Sequence, residues 1–138
     1  AESTLENLVQ WGDFDWYHTP ETDSRWPDCW KPIRLSEQKA EAMVQATMDA
    51  QFKEFEETLA TIRFMLEKYN TEQIFNERFD QSLSEHYLSR YQFMVASGYS
   101  GTPRQLYGDS SAITNQTRLN RYLEKPEGLW VVQVDCHS

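Results

Sequence analysis

The sequence predicts a mainly α fold: a long antiparallel helical hairpin, a shorter third helix, an extended aromatic N-terminal arm and a short C-terminal strand. Three observations lead there. Val44, Met48, Phe52, Phe55, Leu59, Ile62, Leu66 and Tyr69 follow one another at steps of 4, 4, 3, 4, 3, 4 and 3, the spacing that lines one face of a helix. From Ser36 to Tyr69 there is neither Gly nor Pro, so nothing interrupts a rod that would be roughly 50 Å long at 1.5 Å per residue. Four of the five tryptophans, Trp11, Trp16, Trp26 and Trp30, crowd into the first 35 residues, a stretch with no helical period.

That first stretch, residues 1–35, reads as an arm. Ser3 or Thr4 is suited to cap a short helix carrying Leu5, Leu8 and Val9, but Gly12, Pro20, Pro27 and Pro32 forbid a long one. Polar residues surround the tryptophans, so the arm lays its rings into grooves and is no core strand. Residues 36–138 form the helical domain. Ser36 is the expected N-cap of the long helix, with Glu37 and Glu41 near its positive end and Lys68 in its last turn. Asn70 or Thr71 stops it and caps the next.

A second helical stretch is expected from about Glu72 to Ser97, with Phe75, Phe79, Leu83, Tyr87, Tyr91 and Met94 on one side and Gly98 closing it. A polar loop follows through Gly108. Asp109 or Ser110 then caps a shorter helix with Ile113, Leu119, Tyr122 and Leu123. Pro126-Glu127-Gly128 makes a turn into Leu129–Val134, the one convincing β-type run. A lone strand leaves backbone groups unpaired. It pairs with the arm, where Phe14 to Tyr17 is the best internal candidate, joins another chain, or packs extended.

Composition narrows the function. A net charge of −9 repels phosphate backbones and anionic lipid, so neither nucleic acid nor membrane is an expected partner. The remaining readings are ordinary solubility or a partner with a basic face, an acidic nucleic-acid mimic being one form of the latter. The start, Ala-Glu-Ser-Thr, carries no basic, apolar leader, and no segment has the roughly 18–20 apolar residues that span a bilayer. The expectation is a cytoplasmic protein in which Cys29 and Cys136 are free thiols.

Catalytic patterns are missing one by one. The five glycines are scattered, so no phosphate loop forms, and GxSxG, HExxH and CxxC are absent. Glu54/Glu57 and Glu77/Asp80 fall on polar helix sides. His86 lies beside the aromatic stripe without the Glu-x-x-His spacing of a helical di-metal site, and the other two histidines lie in expected loops. Cys136-His137 invites a lowered thiol pKa, but adjacent side chains rarely face each other. No metal, no cofactor and no catalytic residue is expected, although service as an accessory subunit of an enzyme stays open.

Arg118 to Val134, a short helix, a turn and a strand containing Val131-Val132, is similar to the tail of the small helical subunit of soluble methane-monooxygenase-type hydroxylases. The likeness includes no functional motif, so it implies no activity, cofactor or site residue for this chain.

The function expected is non-catalytic: a small accessory subunit or adaptor that binds a protein partner or a second copy of itself. Trp11, Phe14, Trp16, Tyr17, Trp130 and Val132 are the expected contact residues, because large rings bring contact area at low entropic cost. The rival reading is a small-ligand binder with a pocket lined by Phe, Met and Tyr between the helices.

Overall fold

The computed structural model describes residues 5–7, 10, 15–22, 26, 28–77, 105–108 and 111–137. The described chain is a mixed α/β protein with one long helix and several very short strands, so the mainly α expectation holds only in part. The elements are β1 (Trp16–Tyr17), β2 (Ile33–Arg34), α1 (Gln38–Lys68), α2 (Thr71–Glu77), α3 (Gln116–Leu123), β3 (Trp130–Val131) and β4 (Cys136–His137). Two compact units divide the chain, Ala1–Met43 with Asn120–Ser138 and Val44–Leu119. The expected second helix beyond Glu77, its closing Gly98, His86 and the caps Asp109 and Ser110 lie outside the described residues.

In the first unit, the segment 129–137 serves as a template for two separate pieces of the N-terminal region. β1 pairs antiparallel with β4, Trp16 opposite His137 and Tyr17 opposite Cys136. β2 pairs antiparallel with β3, Ile33 opposite Val131 and Arg34 opposite Trp130. Bonds just outside the strands extend both ladders: the His18 N–H donates to the Asp135 carbonyl at 2.9 Å, and the Trp30 and Leu35 N–H groups donate to Gln133 and Leu129, both at 2.9 Å. The terminal strand thus pairs with the arm, as one of its expected options had it. The register differs, because Trp16–Tyr17 meets Cys136–His137, and the residues at 130–131 are taken by Ile33–Arg34.

Turns make this possible. Thr19 to Thr22 reverses the chain after β1: the Thr22 N–H donates to the Thr19 carbonyl at 3.1 Å, with Pro20 at the position where a fixed φ favours a turn. Before β3, the Leu129 N–H donates to the Pro126 carbonyl at 3.1 Å. Gly128 sits there at φ +78, the left-handed geometry that glycine adopts without steric cost. Leu5 is buried among Tyr17, Trp30 and Val134, the small core of this unit.

The second unit is built on α1, 31 residues without a break. Its start is one residue later than a Ser36 cap would give: the Glu37 carbonyl accepts the Glu41 N–H at 3.1 Å, so Glu37 is the cap. Asn70 caps α2 as expected, in a reciprocal box. The Gln73 N–H donates to Asn70 Oδ1 and the Asn70 N–H donates to Gln73 Oε1, both at 2.9 Å. Asn115 caps α3 instead of Asp109 or Ser110, its Oδ1 accepting the Arg118 N–H at 2.9 Å. Ile113 is therefore not helical; it lies in an extended segment, donating its N–H to the Leu106 carbonyl at 2.8 Å. A reciprocal amide pair, Gln45 with Gln116 at 2.7 and 2.9 Å, joins α1 to the start of α3.

The buried face of α1 shares Val44, Met48 and Ile62 with the expected apolar seam but is turned from it. Ala40, Val44, Met48, Ile62 and Met65 are buried together with Thr47, Gln51 and Thr58. At 100° per residue, the centre of that face is turned roughly 50° from the centre of the expected seam. Phe52 and Leu66, both seam members, are 64% and 58% exposed. Thr58 tolerates burial because its hydroxyl donates to the Glu54 carbonyl at 2.9 Å.

The rotation carries an energetic consequence. Truncating Ile62 or Met65 to Ala should cost about 2–5 kcal/mol by removing buried volume, whereas Phe52→Ala and Leu66→Ala should stay within about 0.5 kcal/mol. Urea midpoints for the four variants check this, and equal shifts for both pairs would put the buried face back on the seam.

Candidate functional site

Side chains alternate across a strand, so the β1–β4 register decides which residues meet. Trp16 and His18 share one face of the N-terminal strand with Asp135 and His137 directly across, while Tyr17 and Cys136 turn to the other face. Tyr17 reaches the Leu5 core. On the first face, the carboxylate of Asp135 is buried, only 4% of its side chain exposed, and each of its oxygens meets one histidine. His18 Nε2 lies 3.6 Å from Oδ2 and His137 Nε2 lies 3.3 Å from Oδ1. Trp16 roofs the cluster, stacked on His137 with centroids 4.1 Å apart and planes 9° from parallel. It also meets the His18 ring edge-on at 4.9 Å.

The His18 ring is held from its other side by Thr22. The Thr22 hydroxyl donates its one proton to the Thr19 carbonyl at 3.0 Å and accepts the Thr19 N–H at 2.9 Å. His18 Nδ1 lies 3.2 Å from that same oxygen, so the Thr22 hydroxyl also holds the imidazole ring. His18 Nε2 faces Asp135. His137 Nε2 is buried and makes no hydrogen bond. Two imidazole nitrogens and a carboxylate thus converge on one point.

Trp30 holds the backbone behind this cluster. Its indole N–H donates to the His18 carbonyl, and its own N–H donates to the Gln133 carbonyl at 2.9 Å. The residue stands at φ +60, a left-handed conformation costly for an aromatic residue. Cys136 lies at the exposed edge of β4, yet its thiol is pushed up from 9.0 to about 11, first by partial burial and then by the charge of Asp135 and by Cys29. The adjacency to His137 therefore produces the reverse of an activated thiol, since the two side chains occupy opposite faces.

Of the expected contact residues, Trp16 and Trp130 are 50% and 55% exposed, Tyr17 and Val132 are half-buried, and Trp11 and Phe14 lie outside the described residues. The Arg34 guanidinium sits 5.3 Å from the Trp130 ring centroid, a cation–π arrangement that fixes the indole. None of His18, Asp135 and His137 is among the expected site residues. Their one visible signal is two short runs, Trp16-Tyr17-His18 and Asp135-Cys136-His137, each with polar or aromatic groups two apart.

The family model described as "Domain of unknown function (DUF7995)" matches residues 7–138. The chain belongs to this family. No curated protein and no solved structure matches it. The matched span of the DUF7995 chain includes both ends of the ladder that builds the His18–Asp135–His137 cluster.

Two outcomes follow. Replacing Trp30 by Phe removes the indole donor while keeping most of the ring, and should cost about 1 kcal/mol for one part-buried hydrogen bond, read from the denaturation midpoint. In a Cys29→Ser background with chelator present, folded Cys136 should alkylate roughly tenfold or more slowly than the unfolded chain near pH 8. The raised pKa leaves little thiolate there, although a more basic thiolate is somewhat more nucleophilic. Because the folded thiol keeps its proton longer than the unfolded one, its linkage lowers stability as pH rises from about 9 towards 11. Equal alkylation rates would remove the claimed shift.

Proposed function

We propose that the DUF7995 chain is a non-catalytic interaction protein, a small accessory subunit or adaptor that binds a larger protein assembly or a second copy of itself. The observation that carries this is the presentation of Trp16 and Trp130, each half-exposed on a hydrogen-bonded strand. Indoles on a fixed backbone lose little freedom when a partner covers them, which is why such residues recur as binding hot spots. Trp11, Phe14, Tyr17 and Val132 are retained in the proposal as further contact residues on sequence grounds.

Phe52 and Leu66 support the same reading, as large apolar groups exposed beside the buried face of α1. The proposal takes α1 and the stretch after it as an antiparallel hairpin and places the protein in the cytoplasm, in keeping with two cysteines that form no disulfide. Among the described residues, no helix is long and apolar enough to cross a membrane. The net charge of −9 favours a partner with a basic face.

The test is co-purification of the tagged chain from its native source, followed by binding measurements with Trp16→Ala and Trp130→Ala. At least one substitution should weaken binding by about 2 kcal/mol, roughly thirtyfold, while Trp130→Ala moves the melting temperature little. A chain that stays monomeric, captures nothing specific and behaves identically in both variants would defeat the reading.

A further inference from the structure

We propose that His18, Asp135 and His137 bind one divalent transition-metal ion of the zinc class, clamping the N-terminal strand to the C-terminal one. Among the described residues these three form the one group whose donor atoms could hold a metal, all within 4.8 Å of one another. In a tetrahedral zinc site with bonds of about 2.0–2.1 Å, neighbouring donors stand about 3.3 Å apart. The two histidine-to-carboxylate distances, 3.6 Å to Oδ2 and 3.3 Å to Oδ1, are near that figure but run to different oxygens, so an ion there meets both carboxylate oxygens or the carboxylate turns to present one.

The neighbouring groups match what a metal site needs. The Thr22 hydroxyl lies 3.2 Å from His18 Nδ1 and holds the ring with Nε2 towards Asp135; metal-bound histidines are held by their second nitrogen in this way. His137 brings a buried Nε2 that lies 3.3 Å from Asp135 Oδ1 without forming a hydrogen bond, which leaves its bonding capacity for another group.

Imidazole nitrogen with one carboxylate selects zinc, cobalt, nickel or iron(II) over magnesium or calcium, which prefer all-oxygen shells. Three protein donors leave a fourth position for water or an incoming group. The inference does not rest on the proposed partner: although Trp16 stacks on His137, the donor atoms are those of His18, Asp135 and His137 alone.

The test is calorimetric titration of the full, chelator-treated chain with zinc chloride at neutral pH, alongside cobalt(II) spectra. One zinc per chain is expected at micromolar affinity or tighter, with a higher melting temperature and an intense tetrahedral cobalt band. His18→Gln and His137→Gln should each lose tenfold or more in affinity, Thr22→Val should lose part of that, and Cys136→Ser should bind like the wild type. No heat at millimolar zinc overturns the proposal, as do histidine variants that keep wild-type affinity. Should a histidine variant fail to fold, the wild-type cobalt spectrum decides: an octahedral, aquo-like spectrum overturns the site and a tetrahedral one upholds it.

Discussion

The backbone ladder between residues 15–35 and 129–137 is the constraint on which the first unit depends. Its strands are two residues long, too short to be stable alone. Bringing His18 to Asp135 also closes a loop of more than a hundred residues, an entropic cost that local contacts do not recover. Three things compensate. Two separate pieces dock on one template, so the second finds it already ordered. The Leu5, Tyr17, Trp30 and Val134 cluster removes apolar surface from water. The Trp30 indole ties the His18 carbonyl to the β2 side of the template, linking the ladders through a side chain where no backbone bond runs.

Register then converts that ladder into chemistry. With Trp16 opposite His137, the period of two puts both histidines, the carboxylate and the indole on one face. A slip of one residue would send His18 or Asp135 to the other side and separate them. The cluster is therefore a property of pairing, and neither strand contains it alone. For that reason the sequence does not reveal it: His18 and His137 lie in segments with no regular pattern, and no local ligand spacing joins residues that far apart in the chain. The triplets ending in His18 and His137 become informative only once they are known to be neighbours.

The long helix shows the opposite balance. Its existence, its break at Asn70 and the capping role of Asn70 were legible, because an uninterrupted helical period and a short polar side chain at a boundary are local signals. Its orientation was not. Ranking residues by hydrophobicity places Phe52 and Leu66 inside, but the chain buries Thr47, Gln51 and Thr58 there. Rotation about a helix axis is set by what lies against it, and threonine satisfies its hydroxyl on the preceding turn, so moderately polar positions can lie inside. The third helix was displaced for a related reason: Asp109, Ser110 and Asn115 are all capable caps, and only Asn115 is followed by unbroken helix.

Trp16 joins the two functional readings and also keeps them separable. Its ring is stacked on His137 and half-exposed, so it shields the carboxylate cluster and offers a surface to a partner at once. Removing it would disturb both, and a loss of partner binding in that variant alone would not say which was at fault. Trp130 provides the control, because its ring is fixed by Arg34 on the other ladder and takes no part in the histidine face. A partner that needs the indole surface feels both substitutions; a metal clamp feels only Trp16. The second unit supplies an independent axis, since Phe52 and Leu66 lie on a helix that contributes nothing to the cluster. Interaction surface and metal face can each fail without the other, and the division of Trp16 and Trp130 between two ladders is what lets single substitutions tell them apart.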